Sequence, residues 1–297
     1  MLTHRGFMLD TGRRFFPYQS IYRLLDWLAE AGFNTFHWHI SDAESLPLEW
    51  RDRHIPLGED RLAFRDEQSR PLQYSRNDSE MLSYHAAQRG IEIIPEIDLP
   101  AHCDCLGRVV SHIFSGPVNP MSPERELNLS MPESWAFAGR LLLDLMLEWF
   151  PDSKHIHFGG DEVVGHWPDQ DARASQLRFH QEFQLSLARA CGRNPILWSD
   201  PVTDKNLPLS QDFIIQCWQN EATLANVLDR GYRAIASPSA TWYVGNASPE
   251  GLRKACLPDH PNLLGAELVW FTSPADNPDD TEWIRPLIAA AGERMAR

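Results

Sequence analysis

Two adjacent carboxylic acids, Asp161 and Glu162, follow a short apolar segment and two glycines in the stretch HFGGDEV, residues 157–163. Carboxyl groups held in one pocket do general acid–base chemistry, in which one donates a proton while the other stays ionised. Neighbouring residues of a regular strand point to opposite faces, so both acids reach one pocket only if the glycines bend the chain. The stretch therefore predicts a strand that ends in a turn and presents two acids.

Further candidates for chemistry follow other short apolar segments. The stretches HWHISD at residues 37–42 and PEIDLPAH at residues 95–102 supply histidines and more acids. Aromatic side chains, which stack on the apolar faces of pyranose rings, occur at similar positions. One tryptophan alone is typical of core packing, but together with the acids these residues indicate a carbohydrate pocket. The aromatic residues concerned are Trp198, Trp218, Trp242, Tyr243 and Trp270.

The adjacency of Asp161 and Glu162 is unusual for cleavage of a glycosidic bond. That reaction usually needs two carboxyl groups ~5–5.5 Å apart for retention of configuration, or ~6.5–9.5 Å apart for inversion. Adjacent residues do not flank the bond in this way. We therefore expect another group to supply the nucleophile.

The spacing of the apolar segments predicts the frame that positions these residues. Eight short segments rich in Ile, Val, Phe and Trp alternate with segments of helical period. This alternation predicts an α/β fold, a (β/α)8 TIM barrel, as a single domain over residues 1–297. No glycine-rich nucleotide motif follows the first segment, which argues against a doubly wound sheet. The predicted strands are 6–9, 34–40, 92–95, 155–158, 195–198, 213–218, 234–237 and 263–270.

The residues that could do chemistry stand where such a barrel places an active site. In this architecture the active site lies at the carboxyl ends of the strands, and all the stretches above follow predicted strands. Two long connections, residues 41–77 and 101–131, leave the second and third strands at the same end. They are expected to shape the substrate pocket.

Charge and composition exclude several classes of protein. With 27 basic and 41 acidic residues the net charge is −14, so no nucleic acid partner is expected. No apolar run approaches the ~18 residues of a membrane span, and the first residues do not resemble an export signal, so a cytoplasmic location without membrane association is expected. The five cysteines lack a CxxC pair, and Cys103 and Cys105 are too close for a zinc knuckle, so neither a disulfide framework nor a metal site is expected.

Taken in order, the motifs resemble the catalytic domain of glycoside hydrolase family 20, the β-N-acetylhexosaminidases. The resemblance runs from RGFMLD at residues 5–10, with Arg13 or Arg14 behind it, through HWHISD, PEIDLPAH and HFGGDEV to the later tryptophans. It implies an enzyme without a cofactor that removes terminal β-linked GlcNAc or GalNAc from a glycan or oligosaccharide. The position of Arg5 also implies that the accessory domain frequent before this catalytic domain is missing.

The resemblance implies substrate-assisted catalysis with retention. The 2-acetamido oxygen of the sugar attacks the anomeric carbon and forms an oxazolinium intermediate, which answers the question of the missing nucleophile. Glu162 is implied as the general acid/base, with its pKa raised by Asp161. Asp161 is implied to orient the acetamido N–H, while His102 and Asp42 are implied to form a hydrogen-bonded relay behind the acid.

The resemblance also implies residues that bind the sugar. Arg5 is implied to grip hydroxyl groups at the closed end of the pocket, and Tyr243 to bind the acetamido carbonyl. The aromatic box around the sugar is implied to consist of Trp198, Trp218 and Trp270.

Three positions depart from the family pattern. Gly245 and Thr272 stand where acids usually bind sugar hydroxyls, and Ala43 stands where a second acid usually follows Asp42. Asp276 and Glu267 are the candidates to replace the missing acids. The departures leave a preference between GlcNAc and GalNAc open, and neither linkage nor oligomeric state is indicated by the sequence.

Two other readings of the sequence remain open. His37 and His39 form a His-x-His pair on one strand face, as in a metal-dependent amidohydrolase on the same barrel. A non-catalytic carbohydrate-binding barrel is the other alternative, because Gly245 and Thr272 alter the binding shell.

Overall fold

Eight parallel strands close into a barrel in the computed structural model, which describes residues 2–52, 62–114, 126–163 and 170–297. Each strand pairs with its neighbours in the chain, and the first pairs with the last. This order confirms the predicted (β/α)8 barrel, and each predicted strand overlaps an observed one. The strands are β1 His4–Asp10, β2 Thr35–Ser41, β3 Glu92–Ile97, β4 His155–His157, β5 Asn194–Trp198, β6 Ile214–Cys217, β7 Arg233–Ala236 and β8 Leu263–Trp270.

Helices follow the strands and cover the outside of the barrel. In the described ranges they are α1 Tyr18–Glu30, α2 Arg76–Ala87, α3 Gly107–Val110, α4 Pro132–Asp144, α5 Gln170–Ala190, α6 Asp200–Thr203, α7 Glu221–Asp229, α8 Ser239–Trp242, α9 Pro249–Lys254 and α10 Arg285–Met295. Single turns of other helix types span Asp104–Leu106, Ser111–Ile113, Leu145–Trp149 and Glu282–Ile284. Within the described ranges, no helix combines the length and apolar character needed to cross a bilayer.

From the sequence, Ser20 is expected to cap the first helix and Asn77 or Asp78 to open the second, and both helix starts differ from this. Helix α1 begins at Tyr18 after Pro17, so Ser20 lies buried inside it and does not cap it. Helix α2 begins after Ser75, although Asn77 or Asp78 was expected as its first residue. Ser75 accepts the Asp78 N–H while Asp78 accepts the Ser75 N–H, and this reciprocal pair satisfies two backbone donors where one cap satisfies one.

The long connections after β2 and β3 are present as predicted. The first contains a small antiparallel pair, Phe64–Arg65 with Pro71–Leu72. Residues 53–61 and 115–125 of these connections lie outside the described residues. All five cysteines are free thiols, as their spacing indicates.

The barrel interior is filled by side chains that alternate along each strand. One apolar layer consists of Ile94, Ile196, Ile214 and Ile235. A second lies nearer the carboxyl ends of the strands and contains Met8, Trp198 and Val269. Polar side chains with almost no exposure share this interior, which is unfavourable unless they pair with one another. They are His37, His39, Glu96, His157, Gln216 and Glu267.

Candidate active site

The chain turns sharply where β4 ends, and the turn brings Asp161 and Glu162 to one side. Gly159, Gly160 and Glu162 all have positive φ angles, of 68°, 93° and 48°. Asp161 Oδ2 and Glu162 Oε2 lie 3.8 Å and 3.2 Å from the same atom, His102 Nε2. The two neighbours therefore face one pocket, which the double glycine makes possible.

Two further acids hold this turn by its backbone. The Gly160 N–H donates to Asp98 Oδ1 at 2.8 Å, and the Glu162 N–H donates to Asp200 Oδ1 at 3.2 Å. A Cβ on Gly159 would overlap the Asp98 carboxylate, so this position needs glycine for both space and φ. Sequence reasoning assigned no role to Asp98 or Asp200. The available signal was their position in PEID and WSD, directly after β3 and at the end of β5.

The structure brings His102 and Asp42 together behind Glu162. His102 Nδ1 lies 3.6 Å from Asp42 Oδ1, and the other Asp42 oxygen is 2.9 Å from His39 Nε2. Burial opposes ionisation of Asp42, but its contact with His102 and its hydrogen bond with His39 lower its pKa below the usual range. Burial likewise opposes protonation of His102, while Asp42 and Glu162 raise its pKa above the usual value. His102 thus carries a positive charge next to the acid.

The expected rise in the pKa of Glu162 is wrong for this structure. The hydrogen bond from His102 is the main influence and lowers the pKa of Glu162, against a smaller opposing effect of burial. The carboxylate is 56% exposed, so the partly dry pocket that would favour its protonated form is not formed around it. The proton that an acid catalyst needs is therefore held by His102.

The aromatic wall of the pocket contains three of the predicted residues, Trp198, Trp218 and Tyr243. The Trp198 Nε1–H donates to Glu96 Oε1 at 2.9 Å, and the Trp218 Nε1–H donates to Asp200 Oδ2 at 2.6 Å. Both rings are thereby fixed by buried carboxylates rather than by packing alone.

Of the other two predicted aromatic residues, Trp242 is buried in the main apolar core, and Trp270 does not reach the pocket. Trp270 is 3% exposed and packs edge-on against Phe16 and Trp283, outside the barrel. Because residues alternate along β8 and Val269 points inward, Trp270 points outward. Its neighbour Phe271 lies in the pocket wall, with ring centroids 5.4 Å from Tyr243 and 6.1 Å from Trp198.

Arg5 is also placed away from the site, which corrects the expectation that it binds the sugar. It stands near the start of β1, where its Nε–H donates to Gly32 O and its Nη1–H to Leu2 O. The inward positions of this strand belong to its neighbours, such as Gly6 and Met8.

Arg13 is the arginine that reaches the site. It contacts Asp10 Oδ2 at 3.0 Å and Asp42 Oδ2 at 2.8 Å, and its guanidinium lies 4.8 Å from the centre of the Phe271 ring. The sequence signal for Arg13 was its place just behind RGFMLD.

Among the described residues, no other acid takes the place of the two that the family pattern has at the positions of Gly245 and Thr272. A Cβ at Gly245 would meet no atom within 4 Å, and the Thr272 hydroxyl donates to the Asp10 carbonyl at 3.0 Å. Glu267 cannot replace a missing acid, because it is buried in the barrel among His4, His37 and Gln216. Asp276 accepts the Ser273 N–H outside that interior.

Two groups among the described residues have ligand atoms close enough for a metal ion: His37, Glu96 and His157, and Asp98, His102 and Asp161. In the first, His37 Nδ1 lies 2.8 Å from Glu267 Oε1, and despite burial the nearby carboxylates raise its pKa to about 9. His39 lies between Glu96 and Asp42 in the same way. A metal ion binds neutral imidazole, so it would have to displace a proton from both His37 and His39. This argues against the metal-dependent amidohydrolase alternative.

Asp200→Asn should change how stability depends on pH. Burial, with help from Asp161, raises the pKa of Asp200 to about 7 in the folded chain, whereas the unfolded chain ionises it near pH 4. The folded state thus binds the extra proton, so this group makes the free energy of unfolding fall as pH rises from about 4 to 7. We expect wild type to lose about 2 kcal/mol more of its free energy of unfolding between pH 5 and pH 8 than Asp200→Asn does. Urea unfolding of both proteins at the two pH values measures this.

Asp152→Asn is the matched control for this measurement, because Asp152 is exposed in the turn before β4, at the opposite end of the strands from Asp200. The control should keep the wild-type difference between pH 5 and pH 8. Parallel curves for wild type and Asp200→Asn would contradict the expectation.

Comparisons with known proteins identify the family of this chain. A sequence profile described as "Glycosyl hydrolase family 20, catalytic domain" matches residues 2–260. The "Beta-hexosaminidase subunit A1" of Dictyostelium discoideum is 28% identical over 264 residues, which cover 83% of this chain and 47% of that protein. The "Probable beta-hexosaminidase fdl" of Drosophila melanogaster is 30% identical over 345 residues, covering 98% and 50%. The chain thus spans about half the length of the curated relatives it matches.

A solved structure shows the same fold. The GH20 exo β-N-acetylglucosaminidase from Vibrio harveyi, in complex with N-acetylglucosamine, superimposes with a TM-score of 0.81 at 24% identity. The match covers 99% of this chain and 54% of the Vibrio protein.

Proposed function

Because this chain belongs to glycosyl hydrolase family 20, we propose that it is a retaining β-N-acetylhexosaminidase that removes terminal β-linked GlcNAc or GalNAc from glycans. The observation that carries the proposal is the pair Asp161 and Glu162 on one His102 nitrogen. This arrangement suits a mechanism in which the substrate's 2-acetamido group is the nucleophile. The related Vibrio enzyme was crystallised with N-acetylglucosamine, which supports this class of sugar.

Glu162 acts as the acid that protonates the leaving oxygen and then as the base that activates water. Its carboxylate is half exposed and lies 3.2 Å from the protonated His102. A bound sugar covers Glu162 and excludes water, which disfavours the separated charges of this pair. The proton then moves from His102 Nε2 to Glu162 Oε2, where the leaving group can take it.

Asp161 acts on the nucleophile. Its side chain is 13% exposed, on the same side of the turn as Glu162. A carboxylate there accepts the acetamido N–H and turns the carbonyl oxygen towards the anomeric carbon. It also stabilises the positive charge that develops on the oxazolinium ring.

The aromatic wall holds the sugar and its acetamido group. Trp198 forms the floor with Met8 and Val269, while Trp218, Tyr243 and Phe271 stand at the sides. Burial is the main reason that the pKa of the Tyr243 hydroxyl is raised well above its usual value, with Asp161 and Asp200 adding to it. Tyr243 therefore stays protonated and can donate to the acetamido carbonyl.

The test is hydrolysis of aryl β-glycosides of GlcNAc, GalNAc and glucose. We expect release from the two acetamido sugars and at least ~10²-fold less from the glucoside, which lacks the internal nucleophile. Equal rates for the acetamido sugar and the glucoside would overturn the mechanism. No release above that of Glu162→Gln would favour the non-catalytic binding protein, and activity lost in EDTA and restored by zinc would favour the metal-dependent alternative.

A further inference from the structure

Buried histidines and carboxylates continue the relay far beyond Asp42. Starting at Glu162, they alternate through His102, Asp42, His39, Glu96, His37 and Glu267 to His4; we call this set the histidine–carboxylate ladder. Near the pocket, the contacts are Glu162 Oε2 to His102 Nε2 at 3.2 Å, His102 Nδ1 to Asp42 Oδ1 at 3.6 Å, and Asp42 Oδ2 to His39 Nε2 at 2.9 Å. Deeper in the barrel, they are His39 Nδ1 to Glu96 Oε2 at 2.5 Å, Glu96 Oε2 to His37 Nε2 at 2.9 Å, His37 Nδ1 to Glu267 Oε1 at 2.8 Å, and Glu267 Oε2 to His4 Nε2 at 2.9 Å.

His39 is the link between the active site and the barrel interior. It is 1% exposed, and its two ring nitrogens face two different carboxylates, Glu96 and Asp42. An ionised carboxylate has no proton to donate and can only accept hydrogen bonds. Both ring nitrogens of His39 must therefore carry protons to bond both partners. Burial opposes this charge, but Glu96 and Asp42 outweigh it and raise the pKa of His39 well above the usual value.

Glu96 fixes His39 from below. It is fully buried and also accepts the Trp198 indole N–H, while His37 and His157 lie 2.9 Å from its oxygens. Burial would raise the pKa of Glu96, yet the three histidines hold it well below the usual value. Glu96 is thus an ionised group with several partners, which cannot move without breaking several contacts.

We infer that His39 is a positioning residue of the proposed hydrolase, acting on the acid Glu162 through Asp42 and His102 and locked in its charged form by Glu96. This inference rests on the proposed function. His39 and Arg13 both hold the same Asp42 oxygen, which leaves the other oxygen directed at His102. The charge of His39 also acts on the proton shared by His102 and Glu162, because a nearby positive charge makes that proton easier to release.

Other charged or titratable groups face this region and stay in place in the tests below. They come from the elements that form and surround the ladder: Asp10 and Arg13 from β1 and its loop, Glu44 after β2, Asp98 after β3, His157 and Asp161 from β4 and its turn, Asp200 after β5 and Tyr243 after β7.

The test compares the pH dependence of kcat/KM in His39→Gln, Glu96→Gln and wild type, with an aryl β-N-acetylglucosaminide. Loss of the positive His39 should move the alkaline limb to higher pH by about 0.5–1 unit and lower kcat about tenfold. Loss of Glu96 removes the carboxylate that keeps His39 charged, so the same limb should again move to higher pH, by less than in His39→Gln. A general loss of packing would lower kcat without moving the limb.

His155→Gln is the matched control, because His155 forms the same kind of pair with Glu92 at 2.9 Å but at the start of β4, outside the ladder. It should keep the wild-type profile. Profiles of His39→Gln and Glu96→Gln that coincide with wild type, at unchanged melting temperature, would overturn the inference.

A measurement on the wild-type chain tests the inference even if the variants do not fold. In nitrogen-15 spectra of the histidine rings, His39 should carry both protons at pH 7, and its signals should move when a thiazoline analogue of the intermediate fills the pocket. The inference would be overturned if His39 is singly protonated, or if its signals do not change when the analogue binds. A wild type inactive on every aryl glycoside would instead contradict the proposed function, while the charge of His39 could still be read from the spectra.

Discussion

Replacement of Glu162 by glutamine should lower kcat/KM by ~10²-fold or more for an aryl glycoside with a poor leaving group. Glutamine keeps the size of the side chain but cannot carry the proton from His102 to the glycosidic oxygen. The loss should be much smaller for a dinitrophenyl glycoside, whose leaving group departs without protonation. The measurement is kcat/KM for both substrates, since this ratio reports the first chemical step.

Glu182→Gln serves as the control, because Glu182 lies on the surface of α5 and pairs only with Arg178 at 3.0 Å in the described structure. It should behave as wild type with both substrates. An equal loss in Glu162→Gln for good and poor leaving groups would contradict a role in protonation.

Asp161→Asn should lower kcat by ~10²-fold or more, through loss of charge stabilisation rather than of proton transfer. The effect should therefore be similar for good and poor leaving groups, in contrast to Glu162→Gln. It should also weaken binding of a thiazoline inhibitor at least ~10-fold, because that compound resembles the charged intermediate that Asp161 faces. Inhibition constants and kcat for both substrates provide the test.

Asp212→Asn is a suitable control, since Asp212 pairs with Arg189 at the surface. Thiazoline affinity in Asp161→Asn equal to that of wild type would count against acetamido participation. Together, the two active-site variants separate the roles of two neighbouring acids that share one histidine.

The fold followed from the sequence because its signals are local. Eight apolar segments of strand length, separated by segments of helical period, admit few arrangements besides a closed parallel barrel. The position of Asp161 and Glu162 also followed, because the two glycines before them have few uses other than a turn with positive φ.

The sequence-based assignments of Arg5 and Trp270 were wrong because the direction of a side chain, and not only its place in a strand, decides whether it reaches the pocket. Arg5 and Trp270 lie in the expected strands, but alternation along β1 and β8 turns both outward. A shift of one residue exchanges Trp270 for Phe271 in the pocket. Linear motifs locate a strand, whereas the register of its neighbours decides which of its residues face inward.

The charge of Glu162 was beyond sequence reasoning for a different reason. Its neighbour Asp161 suggested a raised pKa, but His102, sixty residues earlier in the chain, has the larger effect and the opposite sign. Such a balance depends on distances and exposure, which no motif specifies.

The dense packing of the ladder limits how this chain can change over evolutionary time. A Cβ on Gly6 would overlap both His4 Nε2 and Glu267 Oε2, so even alanine disturbs the lowest contact. Loss of a buried member takes one partner away from each charge beside it, which is more damaging than loss of a facing pair together. Neutral drift should therefore pass through paired replacements, in which a histidine and its facing carboxylate become apolar together. Descendants that took this path would keep the barrel while the acid at its mouth loses the charges that tune it.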